Sequence, residues 1–278
     1  MRQFVLSRVP SGDEELVLDA KDFKYLVQVL RMEVGELIDA RLPDGSLSRM
    51  MIVAISRSDR TVSLVKVQAS GSEPAPAEPA VVVGESMPAV ASVAPDFPHL
   101  VLFQWILKGP KMDQVIRQAT EAGVEAIVPV AGERCLSRDA ETVGDGKTGR
   151  WDRIVREALQ QSGSPVPTRV LPPVSVPAIG SLWKSLSRGA KPLGLVLTEA
   201  PLARKSLHEY LDSAEGTTGI AVGPEGGMTP RELESLVASG FVCIHFKTNI
   251  LRAETAALYG IAAVQSVITE SEKWQLKE

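Results

Sequence analysis

Three short stretches late in this 278-residue chain carry residues able to do chemistry together. "LVLTEA" ends in Thr198 and Glu199, and "GIAVGPEGGMTPRELE" (Gly219 to Glu234) contains a glycine-rich turn. "KTNILRAETAALYG" (Lys247 to Gly260) presents Arg252 and Glu254. Glycine-rich turns between a strand and a helix commonly hold anions, phosphates above all. This turn lacks the lysine of a GxxxxGK[ST] triphosphate loop, and its "GPEGG" spacing does not match a GxGxxG dinucleotide fingerprint. A third reading is a backbone-lined pocket for a ligand that seeks amide and carbonyl partners. Glycines allow close approach and positive φ there, and Pro224 stiffens the turn. The plainer alternative is a tight turn with no ligand. Arg252 and Glu254 stand at the mouth of an otherwise apolar helix, where charges are usually paired or functional. An ion pair between them is the plainer alternative at that position.

The elements that must position these residues follow from the chain's rhythm. Thr229 can cap a helix, Pro230 takes its first position and Glu232 completes a T-x-x-E capping box. The glycine turn is therefore the crossing from a strand's carboxyl end to a capped helix, the edge at which open α/β sheets bind ligands. Upstream, "HLVLFQWIL" reads as a strand and "PKMDQVIRQATEAG" as a helix with Met112, Val115, Ile116 and Ala119 on one face. "VEAIVPV" is a strand, and "TGRWDRIVREALQQSG" is a helix with Trp151, Ile154, Val155, Ala158 and Leu159 inward. Apolar strands alternating with helices predict a parallel sheet covered on both faces. The last helix is apolar nearly all round through Ala256, Ala257, Leu258, Ile261, Ala262 and Val264, which predicts burial in the core or against another subunit.

The first part of the chain has a different pattern. "DAKDFKYLVQVLRMEVG" predicts a helix with Phe23, Leu26, Val27 and Leu30 at helical spacing. "GELIDARL", the turn "PDG", "SLSRMMIVAIS" and "RSDRTVSLVKVQ" predict short strands. A small β-barrel with one helix fits residues 1–70. Residues 71–98 are dense in Pro, Ala and Ser and predict an extended linker, leaving 99–278 as the α/β unit.

Composition excludes several classes. No run of about 20 apolar residues is present to span a membrane. Charges and a proline at the N-terminus replace the apolar core of a signal peptide, which predicts a cytoplasmic protein. Cys135 and Cys243 lie far apart with no CxxC partner, and His99, His208 and His245 are scattered, so reduced thiols and no metal site are expected. The net charge of −4 lacks the high-pI footprint of a nucleic-acid binder, although a basic patch can coexist with an acidic back.

"VGPEGGMTPRE" followed by "LRAETAA" resembles the paired signature of the RsmE family of ribosomal RNA methyltransferases, in the SPOUT superfamily. "KGPKMDQVIRQATEAGVEAIVPV" is similar to that family's first strand–helix–strand unit, and "RWDRIVREALQQSG" to its next helix. "YLVQVLRMEVGE" resembles the opening of its PUA-like N-terminal barrel. There are departures. Ser164-Pro165 follows "QQSG" where the family usually has an arginine, Cys135 stands where a serine is more usual, and the Pro/Ala linker is long.

The resemblance implies a SPOUT-type parallel-sheet domain with a deep trefoil knot, a PUA-like β-barrel and a homodimer. It implies S-adenosylmethionine (S-adenosyl-L-methionine) as cofactor and methylation of a uridine N3 in 16S rRNA of the small ribosomal subunit. Carried over by motif, the cofactor walls are Leu197, Thr198 and Glu199; Gly223, Pro224, Glu225, Gly226 and Gly227; and Ile250, Leu251, Arg252, Glu254, Thr255 and Ala256. Arg252 is expected to stabilise or position the uracil, with Glu254 orienting Arg252, and Glu225 is a weaker candidate for the base. Arg2, Arg8, Lys24, Arg31, Lys108, Lys111, Arg134 and Arg138 are candidates for an RNA-binding groove. Two rivals stay open: a non-catalytic RNA-binding or ribosome-assembly protein, and a SPOUT methyltransferase acting on another RNA position.

Overall fold

The structure, a computed structural model, describes residues 4–6, 15–42, 46–67, 97–135 and 145–271. Arg2, Arg8, Arg138, the "PDG" turn and most of the 71–98 linker lie outside the described residues. The chain divides into two compact units, Arg2–Asp96 and Phe97–Glu278.

In the first unit, strands β1 (Phe4–Val5), β2 (Leu16–Leu18), β3 (Leu37–Arg41), β4 (Leu47–Ser56) and β5 (Thr61–Lys66) form one sheet in the order β1-β3-β4-β5-β2. β1 runs parallel to β3, and the other pairs are antiparallel. Alternation sets the buried face. Ile38 and Ala40 of β3 share a core with Met50 and Ile52 of β4, Val62 and Leu64 of β5, and Phe4, Leu16 and Leu18. A register shift between Ile52 and Ala54 marks a bulge in β4, the device that bends a strand and increases its twist.

The expected helix departs from α geometry. Asp19 caps α1 (Ala20–Phe23) by accepting from the Lys21 and Asp22 N–H groups. Residues Lys24–Val29 are then π-helical, and the Leu30 N–H donates to the Tyr25 carbonyl at 2.9 Å. The wider turn keeps Phe23 and Leu26 buried while Val27 and Leu30 only pack against the core margin.

The second unit is a seven-stranded sheet built from β6 (Leu100–Trp105), β7 (Ala126–Ala131), β8 (Arg169–Val170), β9 (Val174–Ser175), β10 (Leu193–Leu197), β11 (Thr218–Val222) and β12 (Phe241–Ile244). Its order is β12-β10-β11-β6-β7-β8, with β9 also paired to β7, and all six strand pairings among the described residues are parallel. The helices are α2 (Lys111–Glu121), α3 (Asp145–Ser162), α4 (Ile179–Leu186), α5 (Leu207–Leu211), α6 (Pro230–Ala238) and α7 (Ala253–Ser271). Every residue of β6 and of β11 is buried, as a parallel sheet covered on both faces requires.

On one face, Val101, Phe103 and Trp105 pack with Ile179 and Trp183 of α4 and Leu236 of α6. Trp183 lies 6.1 Å from Phe103 and 5.5 Å from Phe241, ring centroid to centroid. A Cβ at Gly219 would stand 2.9 Å from the Trp183 ring, and its absence lets the indole lie on the sheet. On the other face α2 packs against α3 and α7. Met112, Val115, Ile116 and Ala119 of α2 are buried, as are Trp151, Ile154, Val155, Ala158 and Leu159 of α3. Burying one such aliphatic side chain is worth roughly 1.5–3 kcal/mol. The last helix is two-sided. Ala257, Ile261 and Val264 are buried, whereas Leu258, Tyr259 and Ala262 are exposed in this chain.

Candidate functional site

The carboxyl ends of β10, β11 and β12 lie side by side because β10 pairs with both other strands. Thr198 ties two of these ends together. Its N–H donates to the Ile244 carbonyl at 3.0 Å, its hydroxyl donates to the Ala200 and Ile244 carbonyls, and its own carbonyl faces His245 Nδ1 at 3.1 Å. Leu197 is half-buried and Glu199 is exposed.

The glycine turn runs from Gly223 to Met228. The Gly227 N–H donates to the Pro224 carbonyl at 2.9 Å, and Gly227 adopts φ +69, a conformation that favours glycine. The capping box that follows is formed in both directions. Thr229 Oγ1 accepts from the Glu232 N–H, and the Glu232 carboxylate accepts from the Thr229 N–H at 2.7 Å. Glu232 is buried and also accepts from Trp105 Nε1 at 3.0 Å and from the Glu133 N–H at 2.9 Å.

Beneath the turn lies Gln104, fully buried on β6. Its Nε2 donates to the carbonyls of Trp105, Val222 and Gly223. Its Oε1 has no hydrogen-bond partner among the described residues. Sequence reasoning passed over Gln104, although a lone amide inside "LVLFQW" was the signal available: a polar group in an apolar strand must be satisfied by something specific.

The third stretch begins at the head of α7. Arg252 and Ile250 are exposed, Leu251 and Ala256 are half-buried, Thr255 is exposed and Glu254 is 7% exposed. The Ala256 N–H donates to the Arg252 carbonyl at 2.8 Å, opening the helix. The expected pairing of Arg252 with Glu254 is not present among the described residues, since side chains two apart on a helix point to different sides. Glu254 instead faces Lys111, with Nζ 3.5 Å from Oε2, and the same Nζ lies 3.3 Å from Glu225 Oε1. Glu225 also accepts from the Lys108 N–H at 3.3 Å. Burial works against the Glu225 carboxylate, but the N–H groups of Glu225 and Lys108, together with Lys111, outweigh it and hold the group below its ordinary range.

Two residues expected in an RNA groove therefore stand at this edge. Lys111 joins Glu225 to Glu254, and Arg134 Nη1 donates to the Gly226 carbonyl at 2.5 Å. No local pattern points to these partners, which are distant along the chain. Lys108, Lys24 and Arg31 are exposed, the last two in the first unit. Cys135 and Cys243 are free thiols, and burial pushes both upward in pKa. Among the described residues no group of three or more His, Cys, Asp or Glu is placed to hold a metal ion. No helix among them is long and apolar enough to cross a membrane.

A family model described as an RNA methyltransferase domain matches residues 95–265. Ribosomal RNA small subunit methyltransferase E 2 of Borreliella burgdorferi is 27% identical over 97% of this chain and 99% of that protein. The methyltransferase E of Aquifex aeolicus is 33% identical, over 53% of this chain and 59% of its own length. Among solved structures, the methyltransferase E of Neisseria gonorrhoeae bound to S-adenosyl methionine superposes with a TM-score of 0.71 at 25% identity, covering 96% of this chain and 98% of that one. The chain belongs to the RNA methyltransferase domain family and, within it, to the ribosomal RNA small subunit methyltransferase E type.

Proposed function

We propose that this chain uses S-adenosylmethionine to methylate N3 of a uridine in the 16S rRNA of the small ribosomal subunit. The observation that carries this reading is the gathering of three polar strand ends, with Glu225 and Glu254 joined through one lysine, at a single edge of a parallel sheet. That edge is where such sheets hold ligands.

The residues suit a cationic cofactor rich in donors. Three carboxylates, Glu199, Glu225 and Glu254, belong to the three walls. Two buried acceptors, Gln104 Oε1 and Glu254 Oε2, lack hydrogen-bond partners among the described residues. A Cβ at Gly223 would stand 3.1 Å from the Met228 side chain, so glycine there lets the turn close tightly on itself. In this reading Leu197, Thr198 and Glu199, the turn Gly223, Pro224, Glu225, Gly226 and Gly227, and Ile250, Leu251, Arg252, Thr255 and Ala256 hold the cofactor. When bound, it supplies an electrophilic methyl group on a sulfonium.

The remaining work falls to side chains that place the acceptor. Uridine N3 carries a proton and is a poor nucleophile until that proton passes to solvent water. Arg252, exposed at the head of α7, offers its guanidinium to the uracil oxygens on which the resulting negative charge spreads. Such charge stabilisation and orientation are the large terms available to an enzyme of this kind. Glu225 is held anionic by its partners, which suits it to fixing the turn better than to taking the proton. Glu254 fixes the head of α7. To expose N3, the base must leave any stacked arrangement.

The first unit is read as a PUA-like module that grips RNA through Lys24 and Arg31, with Arg2 and Arg8 of the same segment. On the methyltransferase unit, Lys108 and Arg138 are read as RNA contacts of that unit's own. The exposed face of α7, with Leu258, Ala262 and the Tyr259 ring edge-on to Phe246 at 5.0 Å, is read as the homodimer interface. The strand order, in which β12 returns beside β10 and α7 comes back to the face carrying α2, supports a knotted C-terminal segment.

Calorimetric titration with S-adenosylmethionine tests this reading, with Gly226→Trp as the blocked control. Wild-type binding lost in the variant places the cofactor at the glycine turn. Mass spectrometry of nucleosides from treated 16S rRNA and from small subunits then reads the product. N3-methyluridine is the expected result. A 2′-O-methyl product would move the enzyme to another RNA position, and binding without transfer would favour a non-catalytic RNA-binding role.

A further inference from the structure

We infer that Lys111 is the positioning residue of the cofactor edge: its ammonium, shared between Glu225 of the glycine turn and Glu254 of α7, sets the spacing of two of the walls that hold the cofactor. The inference rests on the cofactor reading above, and goes beyond it by naming what keeps the walls in register.

Lys111 is the first residue of α2. A cation at a helix N-terminus opposes the helix dipole, so the helix itself gives no reason for a lysine there. The side chain also does not extend fully into solvent as a surface lysine would, being 32% exposed. It reaches Glu225 Oε1 at 3.3 Å and Glu254 Oε2 at 3.5 Å. Glu254 is 7% exposed, and its Oε2 has no hydrogen-bond partner among the described residues. A buried carboxylate is costly unless a countercharge stands by it, and Lys111 is that countercharge. The Lys108 N–H, three residues earlier, holds Glu225 from the same loop. Lys108 in the β6–α2 connection and Lys111 at the start of α2 thus hold the glycine turn by two contacts and the head of α7 by one. Lys111 acts through these two carboxylates and has no role of its own at the reacting atoms.

The test is calorimetric titration with S-adenosylmethionine of wild type, K111M, K111R, E225Q and the K111M/E225Q double variant, each checked for folding by thermal melting. K111M is expected to weaken binding about tenfold, with K111R recovering most of the loss. In the E225Q background the same K111M change should cost less than in wild type, because one of its two partners is already neutral, but not nothing, because Glu254 still needs its countercharge. With rRNA present, KM for the cofactor should rise more than kcat falls. Wild-type affinity in K111M would overturn the inference, as would fully additive losses with no rescue by arginine. Normal cofactor binding with weakened RNA binding would instead return Lys111 to an RNA groove. If K111M does not fold, K111R and E225Q decide. Near-wild-type K111R with weakened E225Q supports the role, and unchanged affinity in both removes it. Failure of wild type itself to bind would sink the cofactor reading, a result distinct from all of these.

Discussion

The two ends of the parallel sheet carry opposite arrangements of charge. At the carboxyl end one ammonium, Lys111, serves two carboxylates, Glu225 and Glu254. At the amino end one carboxylate, Glu125, serves three basic groups: Arg188 at 2.6 Å, His99 at 3.1 Å and Arg169 at 3.6 Å. The basic partners at the amino end are more than half exposed, so their pairing is screened and weak. The Glu254 side chain is 9% exposed and its charge has no such solvent relief. An exposed cluster of this kind braces loops. A cluster that holds one buried carboxylate, Glu254, and sets two carboxylates against one ammonium suits a cationic ligand.

Three outcomes would break or sharpen this contrast. The largest effect is expected at the carboxyl end: Arg252→Ala should lower turnover about 100-fold by removing charge stabilisation, a far larger change than its loss of cofactor affinity, with the melting temperature close to wild type. Unchanged turnover would show that the guanidinium does not meet the uracil. At the amino end, Glu125→Gln should cost about 1 kcal/mol of stability, read from urea denaturation, and leave methylation unchanged. A loss of activity there would undo the division of labour between the two edges. The smallest effect concerns pH. Glu225 titrates below its ordinary 4.5 in the folded state, so its stabilisation is present above the unfolded value and is lost as pH falls through the folded one. The stability difference between wild type and Glu225→Gln should therefore stay constant from neutral pH down to about pH 5 and shrink at more acid pH. A difference that persists at acid pH would mean that the carboxylate's charge is not what holds the turn.

What the sequence made legible was what depends on near neighbours. The Thr229–Pro230–Glu232 helix start is encoded within four residues and is formed as read. The apolar runs and helical faces of the second unit likewise appear where periodicity put them, from β6 through α3. The π-helical turn at Lys24–Val29 was not legible, because apolar spacing does not distinguish a five-residue hydrogen-bond step from a four-residue one over so short a segment. The partners of Lys111 and Arg134 were hidden for a different reason. A basic residue in a loop reads as a solvated charge until folding brings a distant carboxylate or carbonyl to it. Glu232 shows the scale of the problem: the local capping box was read, while its bond to Trp105, 127 residues away, was not.

Adjacent residues of β6 grip opposite ends of the glycine turn: Gln104 holds the Val222 and Gly223 carbonyls, and Trp105 holds the Glu232 carboxylate that closes the helix start. The turn is thus a span fixed at both ends on one rigid strand. Its conformational entropy is given up when the protein folds, and a ligand arriving later does not have to order it. If the cofactor binds at this turn as proposed, its association is docking onto a finished surface, and the selectivity of the turn lies in its shape instead of in a closing motion.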